Sequence, residues 1–366
     1  MRITHVQAHR VRIPSPKPPF GWRRGLLGGP PGGEGGVLRI GTDDGVEGVA
    51  LVPRRGAGAI LEDVVTHVLR DELTGVDPLQ REWLWHRMWE IDRTEELPIY
   101  MLGVVDVALW DLAGRLAGLP VLQLLGDYRE AIPAYASTST YATTEEYLDV
   151  ADQCLELGYP AIKLHAWGDA RADARLCTAL REHVGDDVPL MYDGSAGFDL
   201  PDALYLGHAL ADAGYLWYEE PMREFSIEAY RQLAGHVGVP LLVAETSDGV
   251  HMNAADFIAA GTATHGVRTS WELKGGITGA MRIAHLADAF RVRAEVHGPH
   301  LPNVTLCMAI PNTTYYESLV WTNPVEREPR VGPDGLVRAP TVPGIGLPGH
   351  IEPLEPGSAL HELIVR

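Results

Sequence analysis

Three acidic residues each close a short apolar run. Asp193 follows Leu190-Met191-Tyr192, Glu219 follows Leu216-Trp217-Tyr218, and Glu245 follows Leu242-Val243-Ala244. Each stands 26 residues from the next. A strand, a helix and two loops occupy about that length, so the spacing predicts three carboxylates at the C-terminal ends of three neighbouring parallel strands. In a closed (β/α) barrel that end is the catalytic face, and side chains there converge on the axis. Carboxylates gathered in this way repel. At an effective dielectric near 20, two unit charges about 4 Å apart cost about 4 kcal/mol, and three mutual pairs roughly 12, comparable with the whole net stability of a domain. A cation or bound protons must offset that. Oxygen ligands without interleaved Cys or His suit a hard ion that keeps waters or takes substrate oxygens, so Mg2+ is expected, with Mn2+ second. Capping the next helix or pairing with arginine is the commoner fate of a single acid, but it does not account for three in strict register.

The same interval carried backwards from Asp193 reaches Trp167, just past Lys163-Leu164-His165 at the end of the run Ala161 to Leu164. Carried forwards from Glu245 it reaches Trp271, flanked by Ser270 and Glu272, and one interval further reaches His297, closing Val292 to Val296. Bases thus flank the acids on both sides. His165 and His297 are expected to do chemistry because they occupy strand ends, whereas His265 and His285 lack that position and are read as structural. His300 lies beyond a Gly-Pro turn, not at the one-face spacing of a helical zinc motif, and is a candidate substrate contact only.

These groups need elements to position them. Ile3 to Ile13 and Val37 to Leu51 read as a small β unit, the latter holding two strands around the turn Thr42-Asp43-Asp44-Gly45. Between them Pro14 to Gly36 is packed with Pro and Gly, too poor in side chains for a core, and reads as a surface loop able to act as a lid. It lacks the Gly-Lys-Ser/Thr or GxGxxG of a phosphate cradle. From about Ala57 to Leu125 the pattern is helical, with Val105, Leu109, Leu112 and Leu116 in one stripe, until Gly118-Leu119-Pro120 breaks it. After Ile132, short apolar runs (Ile132 to Ala136, Ala161 to Leu164, Val188 to Tyr192, Tyr215 to Tyr218, Pro240 to Ala244, Val292 to Val296) alternate with helical segments. One helix opens on the capping box Thr143 and Glu146, another near Pro201. Such alternation implies right-handed βαβ units and a parallel sheet.

The chain has 366 residues, 46 % of them apolar and 22 % charged, which is the composition of a globular protein long enough for two domains. Lys and Arg number 30 against 49 Asp and Glu, a net charge of −19, so neither nucleic acid nor an anionic membrane is an expected partner. Cys154, Cys177 and Cys307 form neither a disulfide framework nor a CxxC pair, and there is no signal-peptide pattern and no long apolar run, so a cytoplasmic protein is expected.

Taken together, these residues resemble the enolase superfamily, and within it the mandelate racemase and muconate lactonizing enzyme subgroup. The resemblance covers nearly the whole chain: the helix Asp106 to Gly114 with Leu119-Pro120 and Leu124-Leu125-Gly126, Lys163-x-His165, Asp193, Trp217-Tyr218-Glu219-Glu220-Pro221, Ala244-Glu245, Lys274-Gly275-Gly276-Ile277-Thr278, His297, Glu317, and Pro343-Gly344-Ile345-Gly346. It implies an α/β chain: an α+β capping domain formed by residues 1–128 and the returning segment 336–366, around a (β/α)7β TIM-like barrel over 129–335. It also implies Mg2+ on Asp193, Glu219 and Glu245, and removal of the proton α to a substrate carboxylate to give a metal-stabilised enediolate. By position Lys163 would polarise the carboxylate, His165 would stand where a Lys base is common, His297 would act from the opposite face, and Glu317 would hydrogen-bond the carboxylate. Three positions depart from the subgroup: Ser270 where an Asp usually supports the His, Ser195 where an Asn often meets a substrate hydroxyl, and His165 for Lys, which lowers the reference pKa from about 10.4 to about 6.5.

The reaction expected first is dehydration of a sugar acid to a 2-keto-3-deoxy acid, because a His without its Asp is better suited to donate a proton to a leaving hydroxyl than to abstract one. Racemisation or epimerisation of a 2-hydroxy acid comes second, and cycloisomerisation of a lactone or anhydro sugar acid third. A metal-binding barrel without catalysis is the alternative of a different class, favoured by Ser270 and Ser195 and opposed by Lys163, His165 and His297. Substrate contacts are expected from Trp22, Arg23 and Arg24 in the loop and from Ser195, Ser270, Glu272 and His300. The expected partner is a small-molecule carboxylate, the expected assembly a homo-oligomer.

Overall fold

The computed structural model describes residues 1–13, 20–26 and 33–347. Parts of the expected loop (14–19 and 27–32) and of the expected returning segment (348–366) lie outside the described residues. β1 (Ile3–Ile13), β2 (Gly33–Thr42) and β3 (Glu47–Val52) form an antiparallel sheet in that order. The turn between β2 and β3 is the expected one, with Gly45 at a φ of 78° and the Thr42 hydroxyl donating to the Val46 carbonyl at 3.0 Å. Gly33 to Gly36 are strand, not the loop their composition suggests. The reason is packing against α1 (Ala57–Val64): a Cβ on Gly36 would meet Leu61 at 2.8 Å, and one on Gly58 would meet the Gly35 carbonyl oxygen at 2.2 Å.

α1 continues through a π-helical turn, Val65–Leu69, into α2 (Arg70–Leu73), followed by α3 (Arg81–Glu95), α4 (Ile99–Ala117) and α5 (Val121–Leu124). Val105, Leu109 and Leu112 on α4 are buried as their spacing predicts, but Leu116 is 41 % exposed, because α4 leaves the core a turn before it ends at Gly118.

The second half alternates as predicted. The order is β4 (Ala131–Thr138), α6 (Thr144–Glu156), β5 (Ala161–His165), α7 (Ala170–Val184), β6 (Leu190–Asp193), α8 (Leu200–Asp212), β7 (Trp217–Glu219) and α9 (Ile227–Ala234). It continues with β8 (Leu241–Val243), α10 (Val250–Ala259), β9 (Gly266–Thr269), α11 (Gly276–Ala289), β10 (Arg293–Val296), α12 (Leu301–Ala309) and β11 (Tyr316–Val320). The strands pair in parallel in the order β10-β9-β8-β7-β6-β5-β4-β11, and β12 (Leu336–Arg338) adds antiparallel to β4. This is a (β/α)7β barrel beside an N-terminal capping domain. Its seam between β10 and β11 is bridged by the Ala294 amide on the Asn312 carbonyl (3.1 Å) and by Thr313 and Thr314 on Glu295. Two strands, β9 and β11, lie outside the apolar runs of the sequence; each carries a buried charge, Arg268 and Glu317, as β5 and β10 also do with Lys163 and Glu295.

Three connections tie the cap to the barrel. Asp106 on α4 accepts the Thr278 amide (2.9 Å) and hydroxyl (2.6 Å) at the start of α11. Trp85 on α3 donates to the Gly275 carbonyl at 2.9 Å. The chain returns to the cap at Gly344 and Ile345, where the Ile345 amide donates to buried Asp111 at 2.8 Å and Val121 donates to the Gly344 carbonyl at 2.9 Å. Among the described residues no helix is long and apolar enough to cross a membrane.

Candidate active site

Strand register brings the predicted residues together. His165 pairs with Asp193 across β5 and β6, and Asp193 with Glu219 across β6 and β7. Glu245 follows β8 after Ala244, which is turned to a φ of 65°. Lys163, fully buried, donates to Asp193 (3.2 Å), Glu219 (3.0 Å) and Glu317 (2.7 Å). The side chain that sequence reasoning missed is Arg268 on β9. Its guanidinium meets Glu219 through Nε, reaches Glu317 at 3.3 Å and Glu245 at 3.5 Å, and donates to Tyr135 Oη and the Val296 carbonyl, both at 2.9 Å.

The charge balance is uneven. Four carboxylates (Asp193, Glu219, Glu245, Glu317) face two fixed cations, Lys163 and Arg268, which leaves two negative charges uncompensated when both histidines are neutral. Titration responds to that excess. Burial, and to a lesser degree Asp193 and Glu245, push the Glu219 carboxyl up to about 8 against the pull of Arg268 and Lys163. Burial works against the Asp193 charge too, yet Lys163 and His165 hold that group well below the ordinary range. Burial also disfavours a charged His297, but Glu245 and Glu317 raise it to about 9.

The residues fit a divalent cation. Two positive charges would close the deficit, all the donors are hard oxygens or imidazole, and Glu245 Oε2 is a buried carboxylate oxygen with no hydrogen-bond donor. Glu219, Glu245 and His297 offer ligand atoms that all lie within 4.8 Å of one another. Asp193, the third acid of the spacing argument, is turned here to Lys163 and to His165, whose Nε2 is 3.0 Å away.

The two histidines flank the acid row, at the ends of β5 and β10. Nδ1 of His165 donates to the Thr138 carbonyl at 2.9 Å; a carbonyl only accepts, so Nε2 is the nitrogen left to gain or lose a proton at the cavity, and when protonated it donates to Asp193 3.0 Å away. His297 Nδ1 stands 3.2 Å from Glu245 and 3.4 Å from Glu317 but off the hydrogen-bond direction. Ser270 is not beside His297: its hydroxyl accepts the Leu273 amide at 3.2 Å, away from the cavity. Behind Glu245, Glu224 accepts three successive amides, of Glu245, Thr246 and Ser247 (3.1, 2.8 and 2.9 Å), and buried Lys274 donates to the Ser247 carbonyl at 2.7 Å. Glu224 and Lys274 thereby fix the turn that aims Glu245.

A cavity of about 460 Å³ opens on this floor. Of the predicted substrate contacts, Trp22, Ser195, Glu272 and His300 line it, together with His165, Asp193, Glu245, His297 and Glu317. Trp22 and Phe20 stand edge-on over the His165 ring, with centroids 5.0 and 5.3 Å away. Arg23 and Arg24 do not line it. Arg23 instead donates to the carbonyls of Ser195 (2.8 Å) and Ala196 (3.3 Å), and the Arg24 amide to that of Trp167 (2.9 Å), which pins the segment 20–26 across the barrel mouth.

Comparison with known proteins gives a consistent picture. Residues 146–349 match the enolase C-terminal domain-like family, and residues 35–126 match the mandelate racemase / muconate lactonizing enzyme N-terminal domain. The fold superposes on the crystal structure of D-glucarate dehydratase from Agrobacterium tumefaciens complexed with magnesium, with a TM-score of 0.84, 34 % identity, and coverage of 94 % of this chain and 96 % of that one. It likewise superposes on a racemase from Streptomyces coelicolor A3(2) with bound magnesium, at a TM-score of 0.81 and 29 % identity over 94 % and 96 % of the two chains. L-talarate/galactarate dehydratase of Salmonella typhimurium is 27 % identical over 302 residues, 80 % of this chain and 74 % of that protein.

Proposed function

The chain belongs to the mandelate racemase and muconate lactonizing enzyme family of the enolase superfamily, and from that premise we propose that it is a magnesium-dependent dehydratase of sugar acids. Relatives with this fold are lyases and isomerases, and this chain is an enzyme of that kind. The observation that carries the dehydratase reading is the placement of two histidines on opposite flanks of the acid row, each in a different electrostatic setting.

A proton α to a carboxylate is only weakly acidic, so a base must act together with groups that meet the charge as it develops. Mg2+ held by Asp193, Glu219 and Glu245 would supply Lewis-acid stabilisation of that charge. Lys163 adds a fixed ammonium beside the same acids, a preorganised partner for the substrate carboxylate. His165, with Nδ1 committed to the Thr138 carbonyl, presents Nε2 as the base for the α proton. His297 faces Glu245 and Glu317, neighbours that favour its protonated form, and so suits delivery of a proton to the departing β-hydroxyl. Loss of water leaves an enol that becomes a 2-keto-3-deoxy acid. Trp22 and Phe20 over His165 shield the transfer from water.

The test is solvent exchange. Incubated with Mg2+ in heavy water against sugar acids and 2-hydroxy acids, the protein is expected to place deuterium at the α carbon and to form a 2-keto product. Label without ketone but with inverted configuration would make it a racemase. His165→Asn is expected to abolish exchange while Mg2+ uptake, read by calorimetry, persists; exchange that survives this substitution places the base elsewhere.

A further inference from the structure

One fully buried carboxylate takes no part in the floor of the site. Asp173 lies in the first turn of α7, yet it is not the cap of that helix, because Asp169 already accepts the Arg171 and Ala172 amides at 3.1 and 2.9 Å. Its oxygens point back at the turn that follows β5. Oδ1 accepts the Trp167 amide at 3.1 Å, and Oδ2 accepts the Gly168 amide at 2.9 Å and the Tyr192 hydroxyl at 2.8 Å. No ion pair joins it to a lysine, arginine or histidine among the described residues. A buried charge without a cation is held by its hydrogen-bond donors alone, and each of the three counts for more here than on the surface.

The base-bearing strand and the segment 20–26 meet at the turn that Asp173 holds. The turn begins at His165, whose carbonyl accepts the Tyr147 hydroxyl at 2.8 Å. It carries the Trp167 carbonyl to which the Arg24 amide donates, and Gly168, at a φ of 79°, lies so close to Arg23 that a Cβ there would stand 3.1 Å from Arg23 Cβ. The Trp167 indole donates to the Tyr141 carbonyl at 2.7 Å, in the loop whose Thr140 amide donates to the Gly21 carbonyl at 3.0 Å. Segment 20–26 thus rests on the turn directly at Arg23 and Arg24 and through that loop at Gly21, and from this seat Phe20 and Trp22 reach the His165 ring.

We propose that Asp173 is a positioning residue of the active site: by fixing the Trp167–Gly168 turn it fixes the seat of segment 20–26, and with it the cover of Trp22 and Phe20 over His165. The inference rests on the reading of His165 as the base and adds the residue that sets how that base is covered. The charge also makes the seat depend on pH. Burial pushes Asp173 up to about 6, against the pull of the Tyr192 hydroxyl and the Trp167 and Gly168 amides. The titratable groups that face it are Tyr147 on α6, Cys177 on α7, Tyr192 on β6 and Tyr218 on β7, all raised by burial and so neutral at that pH. A protonated carboxyl accepts fewer hydrogen bonds than a carboxylate, so the turn loosens as pH falls from 7 to 5.

The test is amide hydrogen exchange, read by mass spectrometry on the Mg2+-loaded protein, with the protection of residues 20–26 corrected for intrinsic rates. Asp173→Asn keeps the size of the side chain and removes its charge. At pH 7.5 it is expected to lower the protection of that segment by about tenfold while β7 and β8 keep theirs. For whichever acid exchanges its α proton, KM is expected to rise by about tenfold, with kcat and Mg2+ affinity within about threefold of wild type. Should that variant fold poorly, the wild type and Tyr192→Phe carry the test. Wild-type protection of 20–26 falls between pH 7 and 5, and loss of one donor to the charged form in Tyr192→Phe moves that fall up by about one pH unit. Unchanged protection of the segment in Asp173→Asn, or a fall that stays in place in Tyr192→Phe, overturns the assignment while leaving the dehydratase reading intact. A loosened segment together with no α-proton exchange from any acid upholds Asp173 as the seat of the segment and overturns the dehydratase reading.

Discussion

Arg268→Met removes the larger of the two fixed cations beneath the cavity without changing the shape of the strand. In the native site Arg268 neutralises Glu219, lies 3.3 Å from Glu317 and 3.5 Å from Glu245, and satisfies Tyr135 and the Val296 carbonyl. At an effective dielectric near 20, each such charge pair is worth about 4 kcal/mol, most of it offset by the cost of burying the guanidinium. What remains when one partner of a buried pair is removed is about 3 to 5 kcal/mol, and with three acids affected we expect about 5 kcal/mol at pH 8. The pH dependence is the sharper check. The folded-state pKa of Glu219 is already raised from 4.5 to about 8, and losing Arg268 raises it further. An acid shifted in this direction costs nothing below its unfolded pKa and progressively more as pH rises toward its folded pKa. Below about pH 7 Glu219 keeps its proton in both folded proteins and costs them equally, so the variant's deficit should widen as pH rises through 8, where wild-type Glu219 ionises beside Arg268 and the variant's does not, and Mg2+ should narrow it there by restoring positive charge. Denaturant unfolding followed by circular dichroism at several pH values, with and without Mg2+, measures all of this. A deficit below about 1 kcal/mol at pH 8, or one that fails to widen between about pH 7 and 9, would refute the charge-balance account.

Further outcomes follow from the same geometry. Glu219→Gln removes a carboxylate that touches both cations and the proposed ion, so calorimetry should find Mg2+ binding at least about tenfold weaker; equal affinity would remove Glu219 from the ligand set. Gly197→Ala would set a Cβ 2.4 Å from Arg23 Cδ, driving the guanidinium off the Ser195 and Ala196 carbonyls. With two hydrogen bonds lost, KM should rise by about tenfold with kcat less affected, and an unchanged KM would show that Arg23 does not hold the segment carrying Trp22. Burial pushes Asp106 from 3.8 up to about 7, so in the wild type this group withdraws stability as pH climbs through that window, by up to about 4 kcal/mol. Asp106→Asn lacks that slope, and its stability relative to wild type should improve between pH 4 and 7 in urea titrations; a constant difference would assign Asp106 an ordinary pKa.

Much of this site was legible because barrel geometry turns spacing into proximity. The 26-residue interval holds from Asp193 to Glu245 because α8 and α9 return the chain to the next strand by short turns, and it places His165 and His297 on the flanks. It fails where the apolar pattern fails. β9 ends at Thr269, two residues short of where the interval points, and goes unnoticed because Arg268 interrupts it. Gly33 to Gly36 misread as loop because glycine content reports the absence of side chains, not whether a helix lies close enough to require that absence. Arg54 and Arg223, which also line the cavity, carry no local pattern at all; only the fold brings a residue after β3 and one after β7 to it.

Arg268 is a different case, because a signal for it did exist. A row of acids set against Lys163 alone is short of positive charge even when a divalent ion is added, for Glu317 joins the same cluster. The missing cation has to project from a strand of the barrel, since no helix on the outside reaches the axis. An arginine set between Val267 and Thr269, one strand beyond Glu245, meets that requirement. The acid row that calls for a metal therefore calls for a charged residue inside an otherwise apolar strand, and the feature that hides β9 from a hydrophobic count is the one electrostatics requires of it.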